Sequence, residues 1–453
     1  MSKRSWLLGM GALVLIGLLL ACGSNYNASQ DGLLLVGSKG SGLIETFSFT
    51  LSNGHISAIA NTPTDTSSET CVLNGLPGSM VIDPAGAYAY AILEANSSCS
   101  GSQTGIAAFK VSSDGNIAQV GNLISFAQAT VLIQGTTTPE TVSVLPATVA
   151  MDTAGKFLFV ADRATTDSAQ RFVPGAVSVF AIGTGGSLTE VAGSPFFTIT
   201  PATTIQQASL DLVSVAPTPT VFPNIGINGT QNAVCSAPGN NPPTAEFLYA
   251  VDDLGYQVFE FQVDTSSGVL TAPTGHTAVP SYPTDTIPMG VAVDPCDRFA
   301  YVSDNLSNKV SAYKICSVVM QPTCVVADGS LVPITGSPFL LGGSANGPGP
   351  LVVDPYGNYV YVLGTLSNTI SPLKISPITG ALTSFSPPTI TTGNGPVSIV
   401  IRGDDNWMFV ANNGSSSLGG STVSQYSIAP STGQLTVEPA IQTDNYPWGL
   451  AVK

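Results

Sequence analysis

The stretch GPGPLVVDPYGNYVYVLGTLSN, residues 347–368, decides the fold. An apolar run ends in Asp354, a Pro-Tyr-Gly turn follows, and a second run reads Tyr-Val-Tyr-Val. Two such runs around a Pro/Gly turn predict paired antiparallel strands. The same unit recurs as MGVAVDPCDRFAYVSDNLSNKVSAYKI (289–315), SMVIDPAGAYAYAILEAN (79–96) and ATVAMDTAGKFLFVADRA (147–164). A third alternating strand follows each pair, as in GAVSVFAI (175–182) and STVSQYSI (421–428). A Gly turn and a fourth strand end the unit, as in GGSLTEV (185–191), DGSLVPI (328–334) and TGQLTV (432–437). Repeated sets of four short antiparallel strands describe propeller blades. Second strands beginning near 33, 88, 157, 247, 299, 359 and 407 predict an all-β, single seven-bladed β-propeller.

The two ends complete each other. GLLLVGSKG (32–40) enters as a second strand, which leaves blade one without its innermost strand. PWGLAVK (447–453) matches the first strand PMGVAVD (288–294). GLAVK (449–453) is therefore expected to pair with LLLVG (33–37) and close the ring, removing the open edges. Blade four is irregular. Between SLDLVSVAP (209–217) and FLYAVDD lies a Pro-, Gly- and Asn-rich insertion, 218–246, which reads as a loop.

The start of the chain reads as a targeting segment. Lys3 and Arg4 precede an apolar run, Trp6–Leu20, that is short for a membrane span. Leu19-Leu20-Ala21-Cys22 resembles a bacterial lipoprotein signal; an ordinary secretory signal with an incidental Cys22 is the alternative. The expected organisation is a signal peptide (1–21), a lipidated tether (22–32) and the propeller (33–453). Lipid on Cys22 would hold the protein at the membrane of a cell envelope, extracytoplasmic, on an outer membrane or cell surface.

Charged residues make up 9% of the chain, against about 25% in ordinary domains. Removing Lys3 and Arg4 from 13 basic residues leaves 11 against 28 acidic ones, a net charge of −17. Such a surface repels nucleic acid and anionic lipid headgroups. Setting Cys22 aside leaves six of the seven cysteines, an even number in an oxidising location. In a propeller, the loops between second and third strands share a face with the blade linkers, and the other two loop types lie opposite. Shared faces suggest the bridges Cys71–Cys99, Cys235–Cys296 and Cys316–Cys324. A metal site is the alternative, but no CxxC pair or nearby histidine supports it.

The pattern VVDPYGNYVYV…SNTIS resembles the lactonase-like seven-bladed propellers, the family of a bacterial sugar-phosphate lactonase and of muconate-cycloisomerising relatives. It also resembles the YVTN-type repeat of surface proteins, and GSPF at 193–196 and 336–339 fits the same family. The resemblance covers essentially the whole mature chain. For the enzymes it implies Pro-Arg-His entering a first strand and Asn-Glu-Leu leaving the next second strand. Arginine would clamp a carboxylate or phosphate, while histidine and glutamate would move protons. Here the Arg-His columns hold Gly349 and Pro350, and the Glu column holds Thr365. Other first strands begin Gly78-Ser79, Ala147-Thr148, Met289-Gly290, Val397-Ser398 and Trp448-Gly449, with blade four ambiguous.

The Glu column reads Lys39, Glu94, Arg163, Asp253, Asn305, Thr365 and Asn413, preceded in five blades by Ser38, Asp162, Asp252, Asp304 and Asn412. One reading is that Asp and Asn cap strand ends. The other is a polar funnel for a small polar ligand, or for calcium through oxygen ligands. Trp448 at its mouth either stacks a sugar ring or packs over the closing strand. Of two histidines, His55 lies in a hairpin turn and His276 on a blade-to-blade loop that could overhang the funnel. The sequence thus points to a binding or scaffold module with a small polar ligand or an envelope protein as partner. The alternatives are a lactone hydrolase in the funnel, with Glu94 or Asp253 as base and Arg163 binding anions, and a purely structural surface protein.

Overall fold

The aspartate that ends a first strand holds the turn it opens. In a computed structural model of the chain, Asp354 Oδ1 accepts the backbone N–H groups of Asn358 and Tyr359, both at 2.6 Å. Asp83, Asp152 and Asp294 hold the corresponding residues of their own turns. In blade four Thr218 takes this place, its Oγ1 accepting the N–H of Phe247 at 3.0 Å. The structure describes residues 31–59, 75–96, 102–131, 140–166, 172–198, 211–219, 245–317, 324, 326–414 and 421–453.

These hairpins build seven antiparallel blades. In blade six the strands are Pro348–Val353, Tyr359–Gly364, Thr369–Ile375 and Leu382–Ser384. Blade one is made of Asp31–Ser38, Leu43–Thr50, Ile56–Ala58 and the C-terminal strand Pro447–Val452. Leu35 faces Ala451 and Val36 faces Leu450, so the ring closes as expected. The strand begins at Asp31, so the end of the expected tether belongs to the blade. The insertion also narrows at both ends, since Thr218 pairs with Phe247 and Glu246 starts the second strand.

Neighbouring blades are stapled by residues of the repeat itself. The buried hydroxyls of Tyr249, Tyr301 and Tyr361 each donate to a glycine carbonyl in the next blade's third-to-fourth turn: Gly329, Gly380 and Gly433. On the other face, Asn308 and Asn368 sit at φ of 56° and 55°. Asparagine tolerates this left-handed region better than most residues. Their Oδ1 atoms accept the N–H of Gly347 and Gly395 in the next blade's linker. Apolar side chains fill the space between blades, as Tyr361, Leu363 and Ile370 do against Ile399, Met408 and Val410.

Outer strands break in two in blades three to six. GSPF falls at two of these breaks, where the Oγ of Ser194 and Ser337 accepts the third-strand N–H of Val179 and Ala312. A hydroxyl thus replaces the missing ladder partner. His276 lies in the break of blade four, between Leu270–Thr271 and Ser281–Pro283. Its Nε2 is 3.6 Å from the Asp328 carboxylate, so it belongs to the outer edge rather than the funnel mouth. Cys316 and Cys324 form a disulfide with Cα atoms 5.2 Å apart, and Cys296 is disulfide-bonded. Cys22, Cys71, Cys99 and Cys235 lie outside the described residues, and with them the expected Cys71–Cys99 pairing and one half of Cys235–Cys296.

Candidate functional site

Every first strand breaks register near its start, at the axis end of the blade. The shifts fall between Pro77 and Met80, Pro146 and Thr148, Leu212 and Ser214, Pro288 and Gly290, Pro348 and Leu351, and Pro396 and Ser398. The closing strand shifts in the same way, opposite Gly37 and Ser38. A bulge re-aims side chains and is common beside active sites. The extra residues here are Gly78-Ser79, Ala147, Val213, Met289, Gly349-Pro350, Val397 and Trp448. Blade four, ambiguous in sequence, therefore supplies Val213. No blade places Arg or His at this ring. Around the axis the backbones nearly touch: a Cβ on Gly449 would lie 2.0 Å from the Gly78 carbonyl.

The second ring comes from the ends of the second strands. Successive strand residues face opposite ways, and the structure divides the expected funnel residues accordingly. Asp162 and Asp304 are fully buried in their blades, where Oδ2 of each accepts a third-strand serine, Ser178 at 2.7 Å and Ser311 at 2.8 Å. They do not line the funnel. Burial pushes Asp162 well above the carboxylate range and Asp304 up to about 7. Asp252 and Asn412 are likewise buried and bonded within their own hairpins, and Ser38 Oγ donates to Glu45.

The next residue in each blade reaches the face. Lys39 Nζ donates to Glu94 Oε1 at 2.5 Å, bridging blades one and two, and lies 3.9 Å from the centroid of Trp448. One face of the indole is thus covered by an ammonium rather than open to a sugar. Arg163 Nε lies 3.1 Å from both carboxylate oxygens of Asp211, and Nη2 also bonds Asp211. Nη2 is 3.3 Å from Asp253 Oδ2. Burial, then the neighbouring Asp211 carboxylate, raises Asp253 to about 6 despite the guanidinium. Its Oδ1 is buried and has no hydrogen-bond partner among the described residues. Asn305 Nδ2 donates to the Pro348 carbonyl and Thr365 Oγ1 to Gly347. Asn413 stands at the same point in blade seven, its N–H bonded to Gly395.

Asp211 escaped the sequence reading. It sits one residue ahead of a first strand, and only the fold brings it to Arg163 in the blade before. A calcium site is not supported by this geometry. Glu94 is turned to Lys39, Asp211 and Asp253 surround a guanidinium, and Asp162 and Asp304 are withdrawn into the blades. Among the described residues, no three His, Cys, Asp or Glu side chains are grouped to hold a metal ion.

A family model described as "Lactonase, 7-bladed beta-propeller" matches residues 339–452, from the outer edge of blade five to the closing strand. None of the curated proteins matches the chain. Among solved structures, a candidate 6-phosphogluconolactonase of Bacteroides fragilis is 18% identical; the match covers 94% of this chain and 99% of that one, with a TM-score of 0.63. A periplasmic gluconolactonase of Pseudomonas aeruginosa is 17% identical, over 93% and 99% of the two chains, again with a TM-score of 0.63. At such identities the likeness establishes the fold. The chain is a seven-bladed β-propeller, similar in architecture to these structures.

Proposed function

We propose that the protein is a lipid-anchored, extracytoplasmic binding module. Its ligand is a small, hydroxyl-rich molecule held at the face where the second strands end. One observation carries this reading. The charged groups of that face are arranged as pairs between blades, Lys39 with Glu94 and Arg163 with Asp211 and Asp253. A preset array of donors and acceptors suits the recognition of hydroxyls. A hydrolase needs in addition a group to stabilise the developing oxyanion and a base close to it. The bulge ring, with neither Arg nor His, supplies neither.

A second reading, lactone hydrolysis, is favoured by Asp253, raised to about 6 beside the half-buried Arg163 guanidinium, and by the lactonase names of the structural neighbours. Calorimetric titration with sugars and aldonolactones separates the two. Binding without turnover, weakened in Lys39→Met or Arg163→Met, supports the module; no binding of any of them overturns it. The envelope location rests on Cys22 and is tested by Cys22→Ala, which should release the protein into the soluble fraction or block its processing. A variant that is processed and still partitions with membranes would refute the anchor.

A further inference from the structure

Blade four carries a carboxyl that neither the hairpin turns nor the funnel uses. Glu260 lies in the third strand, Gln257–Val263, with none of its surface exposed. Its Oε2 accepts the hydroxyl of Tyr282 at 2.5 Å. Its Oε1 is buried without a hydrogen-bond partner among the described residues. That oxygen abuts the third-to-fourth turn of blade five, where a Cβ on Gly329 would lie 2.4 Å from it. Tyr249 stands opposite Glu260 on the second strand and donates to the Gly329 carbonyl. Burial, then Glu260, Asp297, Tyr282 and Asp328, push the Tyr249 hydroxyl well above its ordinary range, so three acids share this junction of blades four and five. Among the described residues, no lysine or arginine is ion-paired with Glu260, Asp297 or Asp328. The one pairing here is that of His276 with Asp328. A buried acid with no cation beside it keeps its proton. Burial, and more weakly Asp328, raise Glu260 to about 8 against the pull of Tyr282.

What this carboxyl holds is a short piece of chain. Tyr282 is the middle residue of the outer half-strand Ser281–Pro283, which resumes after the break that carries His276. The half-strand is fastened at its ends by the N–H of Glu260 on the Pro280 carbonyl and the N–H of Thr284 on the Tyr256 carbonyl. Beyond it the chain runs up to the funnel face. There the carbonyls of Thr286 and Ile287 accept the N–H groups of Leu306 and Asn305. The segment 281–287 thus joins the outer edge of blade four to the second ring. We propose that Glu260 and Tyr282 form a pH-sensitive latch: protonated Glu260 locks Ser281–Pro283 onto blade four, and loss of its proton releases that half-strand with the linker 284–287. The latch is independent of what the funnel binds. Once the segment opens, Glu260 regains an ordinary glutamate value. The closed latch therefore holds the proton more tightly than the open one. Between about pH 4.5 and 8 each unit of pH favours opening by about tenfold, and above about 8 the dependence ends.

The test is amide hydrogen exchange of the full chain at pH 6, 7 and 8, corrected for the intrinsic rate and read on peptides spanning 256–262 and 281–287. Opening of a local segment is what such exchange reports. Both peptides should exchange about tenfold faster per unit of pH, while the second strand of blade two, Tyr88–Glu94, shows no such rise. Glu260→Gln keeps an acceptor for Tyr282 but cannot ionise, and it should make the corrected rates independent of pH. Tyr282→Phe keeps the acid but removes the hydroxyl, and should speed exchange of the same two peptides about fivefold at pH 6. Rates in the unaltered protein that do not change with pH would overturn the latch. A pH dependence that survives Glu260→Gln, or that is lost in His276→Asn instead, would overturn its assignment to Glu260. If Glu260→Gln does not fold, Tyr282→Phe decides: unchanged exchange at both peptides would overturn the proposal.

Discussion

The hydroxyl of Tyr361 in blade six donates to the carbonyl of Gly433 in blade seven at 2.9 Å, and both partners are buried. Tyr90 occupies the corresponding place in blade two, yet its buried hydroxyl has no partner among the described residues. One repeat position thus carries the same residue in two different energetic states. Tyr361→Phe leaves a buried carbonyl unpaired and should cost about 1–3 kcal/mol. Tyr90→Phe removes an unpaired hydroxyl and should be neutral or stabilising. Equal losses in the two variants, measured by denaturant unfolding, would refute the staple.

Closure of the ring makes a second prediction. Leu33 and Lys453 exchange backbone hydrogen bonds at 3.3 and 2.9 Å, and Leu450 and Ala451 are almost wholly buried. Leu450→Ala should cost about 2–5 kcal/mol, the usual range for a buried leucine. Deleting 447–453 should do more, leaving two unpaired edges in the ring and causing aggregation on a sizing column. A deletion variant that stays monomeric and melts unchanged would contradict the closure.

Asp405 gives a pH prediction. It sits at φ 57°, in the turn position that Gly86, Gly155 and Gly357 occupy in other blades. It is fully buried and neither carboxylate oxygen has a hydrogen-bond partner among the described residues. Burial, then Asp354 and Asp404, raises it to about 8. The folded state therefore holds its proton more tightly than the unfolded chain does. Between about pH 4 and 8 its contribution to stability falls as pH rises. Asp405→Gly removes both the unpaired acid and the left-handed strain. It should raise the melting temperature by about 1–3 °C at pH 8, and by less at pH 5. A gain of the same size at both values would place its origin in the backbone alone.

The sequence revealed the blades because each repeat residue does local work. Asp354 holds its own turn, and in blades four to six a repeat tyrosine meets a glycine of the next unit at a fixed offset, as Asn308 and Asn368 do in blades five and six. What escaped were contacts that depend on which way a strand end points. Asp162 and Arg163 are adjacent, so they face opposite sides of the sheet, and only Arg163 reaches the funnel. Asp304 and Asn305 divide in the same way. Asp211 carries no repeat signature, and its tie to Arg163 joins residues far apart in the chain. His276 was misplaced because the outer strand breaks and resumes, and nothing in the PTGHTAVP stretch announces the second half.

Catalysis is the sharpest remaining test. A sugar-phosphate lactone needs a cation for its phosphate, a donor for the developing oxyanion and a base for water. At the bulge ring, blade six offers Gly349 and Pro350, and blade four offers Val213. Arg163, half-buried at the funnel, is already held by two carboxylates. No measurable hydrolysis of 6-phosphogluconolactone is therefore expected. If an uncharged lactone is turned over, Asp253 is the group placed to act as base. Its rate should then rise as pH passes through about 6, where that carboxyl loses its proton. Asp253→Asn should abolish the turnover, whereas Glu94→Gln, which spares Asp253, should lower it by no more than about tenfold. Hydrolysis that survives Asp253→Asn with an unchanged pH profile would remove the funnel from the chemistry altogether.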